Sequence, residues 1–445
     1  MKKIDLIIKC QYLLTMDEHH TYINEPRAIA IHDSKIIDID TAENIDQKYQ
    51  AHETLNRPHQ LAMPGMINTH THIPMSLMRG FADDLPLKKW LEEYIWPLEA
   101  TIVDADSVKL GAQLGIIELI RSGITTFNDM YFFQDSTCQV AKDAGVRGVV
   151  SFGSTPYFSS DKLFNKAEDF IEKWKGDTYI QPAIGPHGPH SVPKKNLIQW
   201  HDIAQKHNVH FHIHVAETLD ECQKVQQEHK TTPVQYLHEL GMLHDMTLAA
   251  HCIHINETDV DIMASTKCHI SHVPESNMKL GSGHFLLDTL AKKNAHISLG
   301  TDGPSSNNNM NMFLTMKHTA LLHKFAHHDP TLAPAEQVVT MATKNGAKAL
   351  HLDHIVGSIE VGKEADIILI DTYKPHIIPY NDPYSSLVYS MHGEDVSSVV
   401  IRGKIVMKDH VIQTIDEAAV LAQATKFFKK MPTKHEVEQM KAISS

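Results

Sequence analysis

Two histidines one residue apart, His70 and His72, follow an apolar run at residues 61–63 and a turn at Pro64-Gly65. Residues i and i+2 of a strand project to the same face, so we expect both imidazoles on one side of a strand near its C-terminal end. Two such imidazoles supply half of a metal site. The chain has 33 histidines, so this spacing alone is equally consistent with solvated or hydrogen-bonded histidines.

A second candidate segment, 209–216, alternates apolar residues with His210, His212 and His214. This pattern is typical of a strand with one apolar and one polar face. His214 lies nearest the strand end and is the expected third ligand, whereas His210 and His212 are expected to be hydrogen-bonded core histidines. Glu217 follows just past the strand, where a carboxylate could exchange a proton with a metal-bound water. A helix-start glutamate is the alternative.

Two more polar residues follow predicted strands: His251 after 247–250 and Asp302 after 296–299. Asp302 precedes a Gly-Pro turn and is either a turn cap or a fourth ligand. Three imidazoles and one carboxylate with an open position describe a catalytic mononuclear site for zinc or a similar divalent ion. The ion would lower the pKa of its water. His251 and Asp302 would then handle that proton, and Glu217 would protonate the substrate.

The segment that must position these residues, 60–352, alternates short apolar runs with helical patterns. With the strand before His70, the predicted strands number eight; the other seven are 124–127, 148–152, 179–184, 209–216, 247–250, 269–271 and 296–299. Eight βα units indicate an α/β fold, a (β/α)8 TIM-like barrel, whose functional residues gather at the C-terminal strand ends. A doubly wound sheet is the alternative, but no Gly-rich phosphate motif follows the first strand.

The terminal segments, 1–59 and 353–415, are rich in short β patterns that could not bury themselves alone. We therefore predict that they pack into one small β-sandwich domain, with the barrel of 60–352 inserted between them. Residues 416–445 are predicted to form a C-terminal helix.

The overall composition excludes several classes of partner. The 41 basic and 54 acidic residues give a net charge of −13, which argues against nucleic acid or an anionic membrane. The chain start lacks a signal-peptide core, and no apolar run approaches the roughly 20 residues that span a bilayer. The five cysteines are scattered without a CxxC pair, so free thiols and a cytoplasmic location are expected.

Several longer motifs carry a resemblance to a known family. They are PGMINTHTH at 64–72, HVAET at 214–218, AAHC at 249–252, SHVPESNMKLGSG at 271–283, LGTDGPSSNNNMNMF at 299–313 and VGSIEVGKEADIILID at 356–371. Together they resemble the amidohydrolase superfamily over nearly the whole chain. Within it, residues 76–100 are similar to deaminases of 5′-methylthioadenosine, S-adenosylhomocysteine and adenosine. The broader subgroup includes triazine hydrolases.

The resemblance implies roles for particular residues. One metal, usually zinc with iron as the alternative, would be bound without a carboxylated lysine, and its ligands would be His70, His72, His214 and Asp302. Glu217 and His251 would transfer protons, and Glu217 and Asp302 would also contact the substrate. Glu99 matches a glutamate that holds ribose hydroxyls, and His187 matches a substrate-contacting histidine. The resemblance also implies a homo-oligomer.

Two positions depart from the family pattern. His190 stands where tyrosine is usual, and residues 151–154 (Ser-Phe-Gly-Ser) stand where some members carry a substrate-binding arginine. Arg147, shortly before, is expected to serve packing at the strand entrance. Without that arginine, smaller nucleosides or methylthioadenosine are favoured over S-adenosylhomocysteine.

Three functional hypotheses follow. The first is a hydrolytic deaminase of an adenine nucleoside, with Trp90, Ile95 and Trp96 either covering the pocket or simply packing. The second keeps the metal chemistry on a triazine or guanine ring. The third, a noncatalytic scaffold, should lack metal ligands, whereas this chain has every one.

Overall fold

The computed structural model describes residues 1–19, 21–154 and 161–444. Its N-terminal segment forms five strands and one helix: β1 (Lys2–Leu14), β2 (Tyr22–Ile23), β3 (Arg27–His32), β4 (Lys35–Asp40), α1 (Ala42–Lys48) and β5 (Tyr49–Pro64). Helix α1 begins where the Thr41 side chain accepts a hydrogen bond from the Asn44 backbone N–H. β1 pairs with β3 antiparallel and with β5 parallel, so it lies inside the sheet.

The middle segment contributes eight parallel strands. They are β6 (Met66–Thr71), β7 (Ile124–Tyr131), β8 (Arg147–Ser154), β9 (Ile180–Pro186), β10 (His210–Val215), β11 (Thr247–His251), β12 (His269–His272) and β13 (His296–Leu299). Each pairs with its sequence neighbour, from β6 through to β13. The first and last strands meet where Thr69 Oγ1 donates to the Leu299 carbonyl at 2.8 Å and the Asp302 N–H donates to the His70 carbonyl at 2.9 Å. The predicted (β/α)8 barrel is confirmed.

Helices cover the outside of the barrel. They are α2 (Leu87–Trp90), α3 (Trp96–Ile102), α4 (Ala105–Arg121), α5 (Gln134–Ala144), α6 (Asp161–Trp174), α7 (Lys194–His207), α8 (Leu219–His229), α9 (Pro233–Glu239), α10 (Glu257–Thr266), α11 (Pro274–Lys279), α12 (Leu287–Lys292), α13 (Met312–His327), α14 (Ala335–Ala342) and α15 (Lys344–Ala349). A 3-10 turn (Ile73–Met78) and a π turn (Leu91–Ile95) add to them. In the described ranges, none of the helices is both long and apolar enough to cross a bilayer.

The C-terminal segment completes the small domain. Its elements are β14 (Ile367–Asp371), α16 (Pro383–Ser385), β15 (Val396–Ile401), β16 (Lys404–Lys408), β17 (Val411–Ile412), α17 (Glu417–Phe428) and α18 (Lys434–Ser444), with short turns at Ser386–Ser390 and Gly393–Asp395. Both termini share one nine-stranded sheet in the order β17-β16-β15-β14-β5-β1-β3-β4, with β2 beside β1. The predicted small β domain from both termini is thereby confirmed. The chain ends in two helices rather than the one expected.

The apolar run at 61–63 belongs to the small domain and not to the strand that carries His70. It forms the end of β5 and pairs antiparallel with β14, Leu61 opposite Ile370 and Met63 opposite Ile368. The barrel strand begins only at Met66, after Gly65. A Cβ at Gly65 would lie 2.1 Å from Thr125 Oγ1, so only glycine lets the chain pass so close to β7.

Arg147 joins the barrel to the small domain. It opens β8, is 3% exposed, and its guanidinium reaches Glu364 at 2.6 Å and Asp366 at 3.3 Å. This agrees with the expected packing role at the strand entrance. The Arg147 guanidinium is a buried cation between two carboxylates. Removing it would leave their negative charges uncompensated, so it stabilises this contact.

We therefore expect Arg147→Met to lower the free energy of unfolding by about 3–5 kcal/mol, since Glu364 and Asp366 would stay buried without a cation. Urea unfolding monitored by circular dichroism measures this change. The matched control is Arg121→Met, because Arg121 is 42% exposed and pairs with Glu417 at the surface. Its expected cost is about 0–1 kcal/mol. Equal costs for the two variants would contradict a structural role for the buried cluster.

Candidate active site

Four predicted ligands converge at the C-terminal end of the barrel. His70 lies in β6, His72 directly follows it, His214 lies in β10 and Asp302 follows β13. The Asp302 Oδ1 atom lies 3.5 Å from His70 Nε2 and 3.3 Å from His72 Nε2, and His72 Nε2 lies 3.4 Å from His214 Nε2. Strands far apart in sequence thus bring three imidazoles and one carboxylate to one point.

The opposite nitrogen of each imidazole is anchored by a hydrogen bond. The Nδ1 atom of His70 lies 2.8 Å from His212 Nε2. The Nδ1 atom of His72 lies 2.5 Å from the Met130 carbonyl, and that of His214 lies 2.7 Å from the His187 carbonyl. A carbonyl accepts only from an N–H, so the protons of His72 and His214 sit on Nδ1 and their Nε2 lone pairs face inward. Such second contacts orient metal ligands in proteins.

The donor set fits a divalent cation. The Nε2 atom of His70 is buried and has no hydrogen-bond partner among the described residues. Burial lowers the pKa of His70 to about 4 and that of His214 well below its usual value, so both rings are neutral and able to ligate. Burial opposes ionisation of Asp302, but the His70 ring 3.5 Å away and the other nearby imidazoles outweigh it and hold its pKa well below the usual range. Three imidazoles with one carboxylate suit zinc or iron.

Two acid–base residues border this point. The Nε2 atom of His251 lies 3.5 Å from Glu217 Oε2, and the ring nitrogens of His251, His70 and His214 lie within 4.8 Å of one another. His251 Nδ1 lies 3.0 Å from Asn277 Oδ1 and donates a hydrogen bond to it. The Nε2 atom of His251 is therefore the one that can exchange a proton. Burial, and then the charge of Asp302, raise the pKa of Glu217 well above its usual value. Glu217 is therefore an acid that can supply a proton.

The backbone at these strand ends is strained. His251 and Asp302 have φ angles of 71° and 62°, in the left-handed region that non-glycine residues avoid. Strained backbone of this kind is found where a side chain must point in a fixed direction at a functional site. The neighbouring Gly303 allows close approach, since a Cβ there would lie 3.2 Å from His72 Cβ.

The substrate end of the site is a cavity next to the proposed metal position. Its lining includes Glu99, which is half-buried and accepts a hydrogen bond from the Tyr131 hydroxyl at 2.6 Å. Burial raises the pKa of Glu99 to about 7. Trp90, Ile95 and Trp96 line the same cavity. Trp90 and Ile95 are also buried in an apolar cluster, so they serve both packing and the pocket wall.

His187, the predicted substrate-contacting histidine, lines this cavity, and its Nδ1 atom lies 2.8 Å from Ser191 Oγ. His190, which replaces the usual tyrosine, lies 3.5 Å from Glu221 Oε2. Burial, and then the charge of Glu217, raise the pKa of Glu221 to about 8. Glu221 also accepts a hydrogen bond from the Glu217 backbone N–H at 3.3 Å. Glu221 therefore connects His190 to the backbone of Glu217.

The stretch after Arg147 offers no replacement for the family's arginine. Ser151 turns into the barrel toward His212, at 3.3 Å, and Phe152 packs against Trp200 and Phe170. Gly153 is left to line the cavity. Among the described residues that line it, there is neither arginine nor lysine.

Four residues of this site escaped the sequence reasoning. Ser276 Oγ donates to Asp302 Oδ2 at 2.6 Å, and Asn277 orients His251. Tyr131 holds Glu99, and His212 holds His70. The motif at 271–283 was a signal for the first two, because it lies beyond the seventh strand, at the same barrel end as the ligands.

Comparison with known proteins agrees with this architecture. The amidohydrolase family model matches residues 61–406. A protein named 5′-deoxyadenosine deaminase from Methanocaldococcus jannaschii is 42% identical over 88% of this chain and 91% of its own length. A 5-methylthioadenosine/S-adenosylhomocysteine deaminase from Thermodesulfovibrio yellowstonii is 38% identical over 94% of this chain and 97% of its own.

A solved structure shows the same fold in detail. An adenosine deaminase from Xanthomonas campestris with bound zinc superposes with a TM-score of 0.94 and 32% identity, over 97% of this chain and 99% of that one. The family model and these relatives cover the barrel and part of the small domain. The chain belongs to the amidohydrolase family.

Proposed function

We propose that this protein is a metal-dependent deaminase that hydrolyses an adenine nucleoside to its inosine form and ammonia, with zinc as the ion. One observation carries the proposal: the protonated Glu217 and the Asn277-oriented His251 stand 3.5 Å apart beside the His-rich donor set. An amine leaves an aromatic ring more readily when an acid such as Glu217 protonates the adjacent ring nitrogen. The names of the relatives at 38–42% identity, all nucleoside deaminases, support the same reaction.

The reaction assigns one task to each residue. A divalent ion held by His70, His72, His214 and Asp302 would acidify a water and polarise it toward attack. His251 accepts the proton of the attacking water. Glu217 donates its proton to the ring nitrogen beside the amine-bearing carbon. A C–O bond forms at that carbon, and the C–N bond breaks as the amine takes the proton held by His251 and leaves as ammonia. The new hydroxyl returns its proton to Glu217 as the carbonyl of the inosine form appears.

The remainder of the cavity supports a nucleoside with a small apolar 5′ group. Glu99, which lines the cavity, can accept hydrogen bonds from two ribose hydroxyls. Trp90, Leu91 and Ile95 offer an apolar wall for the base or a thioether. The described lining carries no cation to pair with a homocysteine carboxylate. We therefore propose 5′-methylthioadenosine or 5′-deoxyadenosine ahead of S-adenosylhomocysteine.

An ultraviolet deamination assay with ammonia detection tests the proposal on zinc-loaded protein. The panel is adenosine, 5′-deoxyadenosine, 5′-methylthioadenosine, S-adenosylhomocysteine and guanine. We expect conversion of the adenine nucleosides, with S-adenosylhomocysteine the weakest of them. Turnover of guanine or a triazine, with silence on every adenine nucleoside, would overturn the proposal in favour of another ring.

The titration of Glu99 predicts a pH dependence of nucleoside binding. Its pKa is raised to about 7, so the acceptor carboxylate is lost as the pH falls below that value. We expect kcat/KM for a ribonucleoside to carry one extra acidic limb, a decline of about tenfold per pH unit below about pH 7. Steady-state rates between pH 5 and 9 measure it.

The matched control is 2′,3′-dideoxyadenosine, which has no ribose hydroxyls for Glu99 to hold. Its kcat/KM should be low throughout and should lack the extra limb, as should that of Glu99→Gln with the ribonucleoside. The pH dependence of the chemical step itself remains in both cases. Identical profiles for the two nucleosides would remove Glu99 from ribose recognition.

We also propose a cytoplasmic location. All five cysteines are free thiols, and four of them are buried. Unpaired thiols are typical of reducing compartments.

A further inference from the structure

Four histidines gather on the outer side of the barrel. His272 ends β12, His284 precedes α12, and His323 and His327 lie on α13. Successive strand residues point to opposite faces, and Ser271 points into the barrel, where it lies 2.8 Å from Thr69 Oγ1. His272 therefore points outward to the helices, where its ring stacks on Phe285 at 4.3 Å.

Three of these rings converge. His323 and His327 are four residues apart on one helix and so share a face. The Nε2 atoms of His284 and His327 are 3.1 Å apart, and ligand atoms of His284, His323 and His327 all lie within 4.8 Å of one another. Two zinc–nitrogen bonds of about 2.0–2.1 Å at a tetrahedral angle separate their nitrogens by roughly 3.3 Å. The 3.1 Å between the Nε2 atoms of His284 and His327 is close to that value.

The cluster leaves buried nitrogens without partners. His323 is 1% exposed, yet its Nδ1 atom has no hydrogen-bond partner among the described residues, and the same holds for Nδ1 of His284. Buried polar atoms in proteins are almost always paired, and an absent ion is one cause of an exception. His272 Nε2 lies 3.3 Å from His323 Nε2, a contact that orients the His323 ring from behind.

The chemistry of the donors limits the ligand. The ligand atoms that lie within 4.8 Å of one another all come from imidazoles, those of His284, His323 and His327. Imidazole suits zinc, copper and nickel, whereas magnesium and calcium require oxygen ligands. His327 is exposed, so an ion and a completing water reach the cluster from solvent.

We propose that His284, His323 and His327 form a second divalent-metal site, selective for zinc or a similar imidazole-binding ion. It is separate from the donor set of His70, His72, His214 and Asp302. An ion here ties the segment before α12 to the C-terminal end of α13. The alternative is plain packing of aromatic rings, which requires no metal.

Metal stoichiometry separates the two. Full-length protein is dialysed to equilibrium against zinc chloride, and bound zinc is counted by elemental analysis. The test variant is His327→Asn, and His284→Asn is a second, independent one. The matched control is His328→Asn, an exposed neighbour outside the cluster whose left-handed backbone asparagine tolerates.

We expect wild-type protein and His328→Asn to bind one more zinc per chain than His327→Asn or His284→Asn. Zinc should also raise the Tm of the first pair further, since an ion that binds only the folded state stabilises it. Dialysis against magnesium should give no difference. Equal zinc content in wild-type protein and both test variants would overturn the site. Because the difference is what is measured, the outcome does not depend on deamination.

Discussion

Replacing Glu217 by glutamine should lower kcat for nucleoside deamination by about 100- to 10,000-fold, the range by which a positioned acid–base group accelerates a reaction. Burial raises the pKa of Glu217 well above its usual value and so favours its protonated form. The amide of glutamine is similar in shape but cannot donate an acidic proton. His251, 3.5 Å away, keeps its contact with Asn277. Steady-state kinetics with elemental analysis measures both rate and metal.

The metal content of this variant should equal that of wild-type protein, since the donor set is untouched. Glu228→Gln is the matched control, an exposed glutamate on the same helix that follows Glu217. It should retain full activity. A Glu217→Gln variant with near-normal kcat would show that the ring proton comes from elsewhere. Loss of metal together with activity would instead give Glu217 a structural role.

The barrel and its ligands could be predicted from the sequence because each rests on a local pattern. The period of two in 209–216 shows which side of that strand His214 occupies. Barrel topology then brings strand ends together whatever their distance in sequence. His70, His214 and Asp302 follow from these two rules. In the structure, ligand atoms of His70, His214 and His251 lie within 4.8 Å of one another, and so do those of His70, His72 and Asp302.

Contacts that cross the barrel could not be predicted in this way. His212 was expected to be only a hydrogen-bonded core residue, yet its partner is the ring of His70, 142 positions away in sequence. The pairing depends on the stagger of the strands, which no local pattern encodes. Asn277 and Ser276 lie after β12, and the path of the chain beyond that strand determines which side chains they contact.

The prediction that the apolar run at 61–63 belongs to the strand of His70 was wrong for a related reason. Its apolar residues predict a strand correctly, but period and composition do not say which sheet receives it. The pairing partner is β14, more than 300 residues later, and Gly65 separates that sheet from the barrel. Local signals identify a strand, and long-range pairing assigns it.

Removing the metal ligands should have the largest effect of all. The combined variant His70→Asn, His72→Asn and His214→Asn is expected to lose the active-site ion and to lower kcat/KM by roughly 10,000-fold or more, since a metal lowers the pKa of its bound water to about 7, far below that of free water. A chelator should have the same effect on wild-type protein, and added zinc should restore only the wild type. The measurements are bound zinc and deamination rate.

The matched control replaces three exposed histidines, His52, His354 and His435, by asparagine, and should keep both metal and activity. Bound zinc then separates the two proposed sites. The ligand variant should retain only the ion at His284, His323 and His327, and His327→Asn only the ion in the barrel. Activity then identifies which ion each variant has lost, because deamination depends on the barrel site alone. Full activity in the ligand variant would contradict the metal-dependent mechanism, whatever the second site binds.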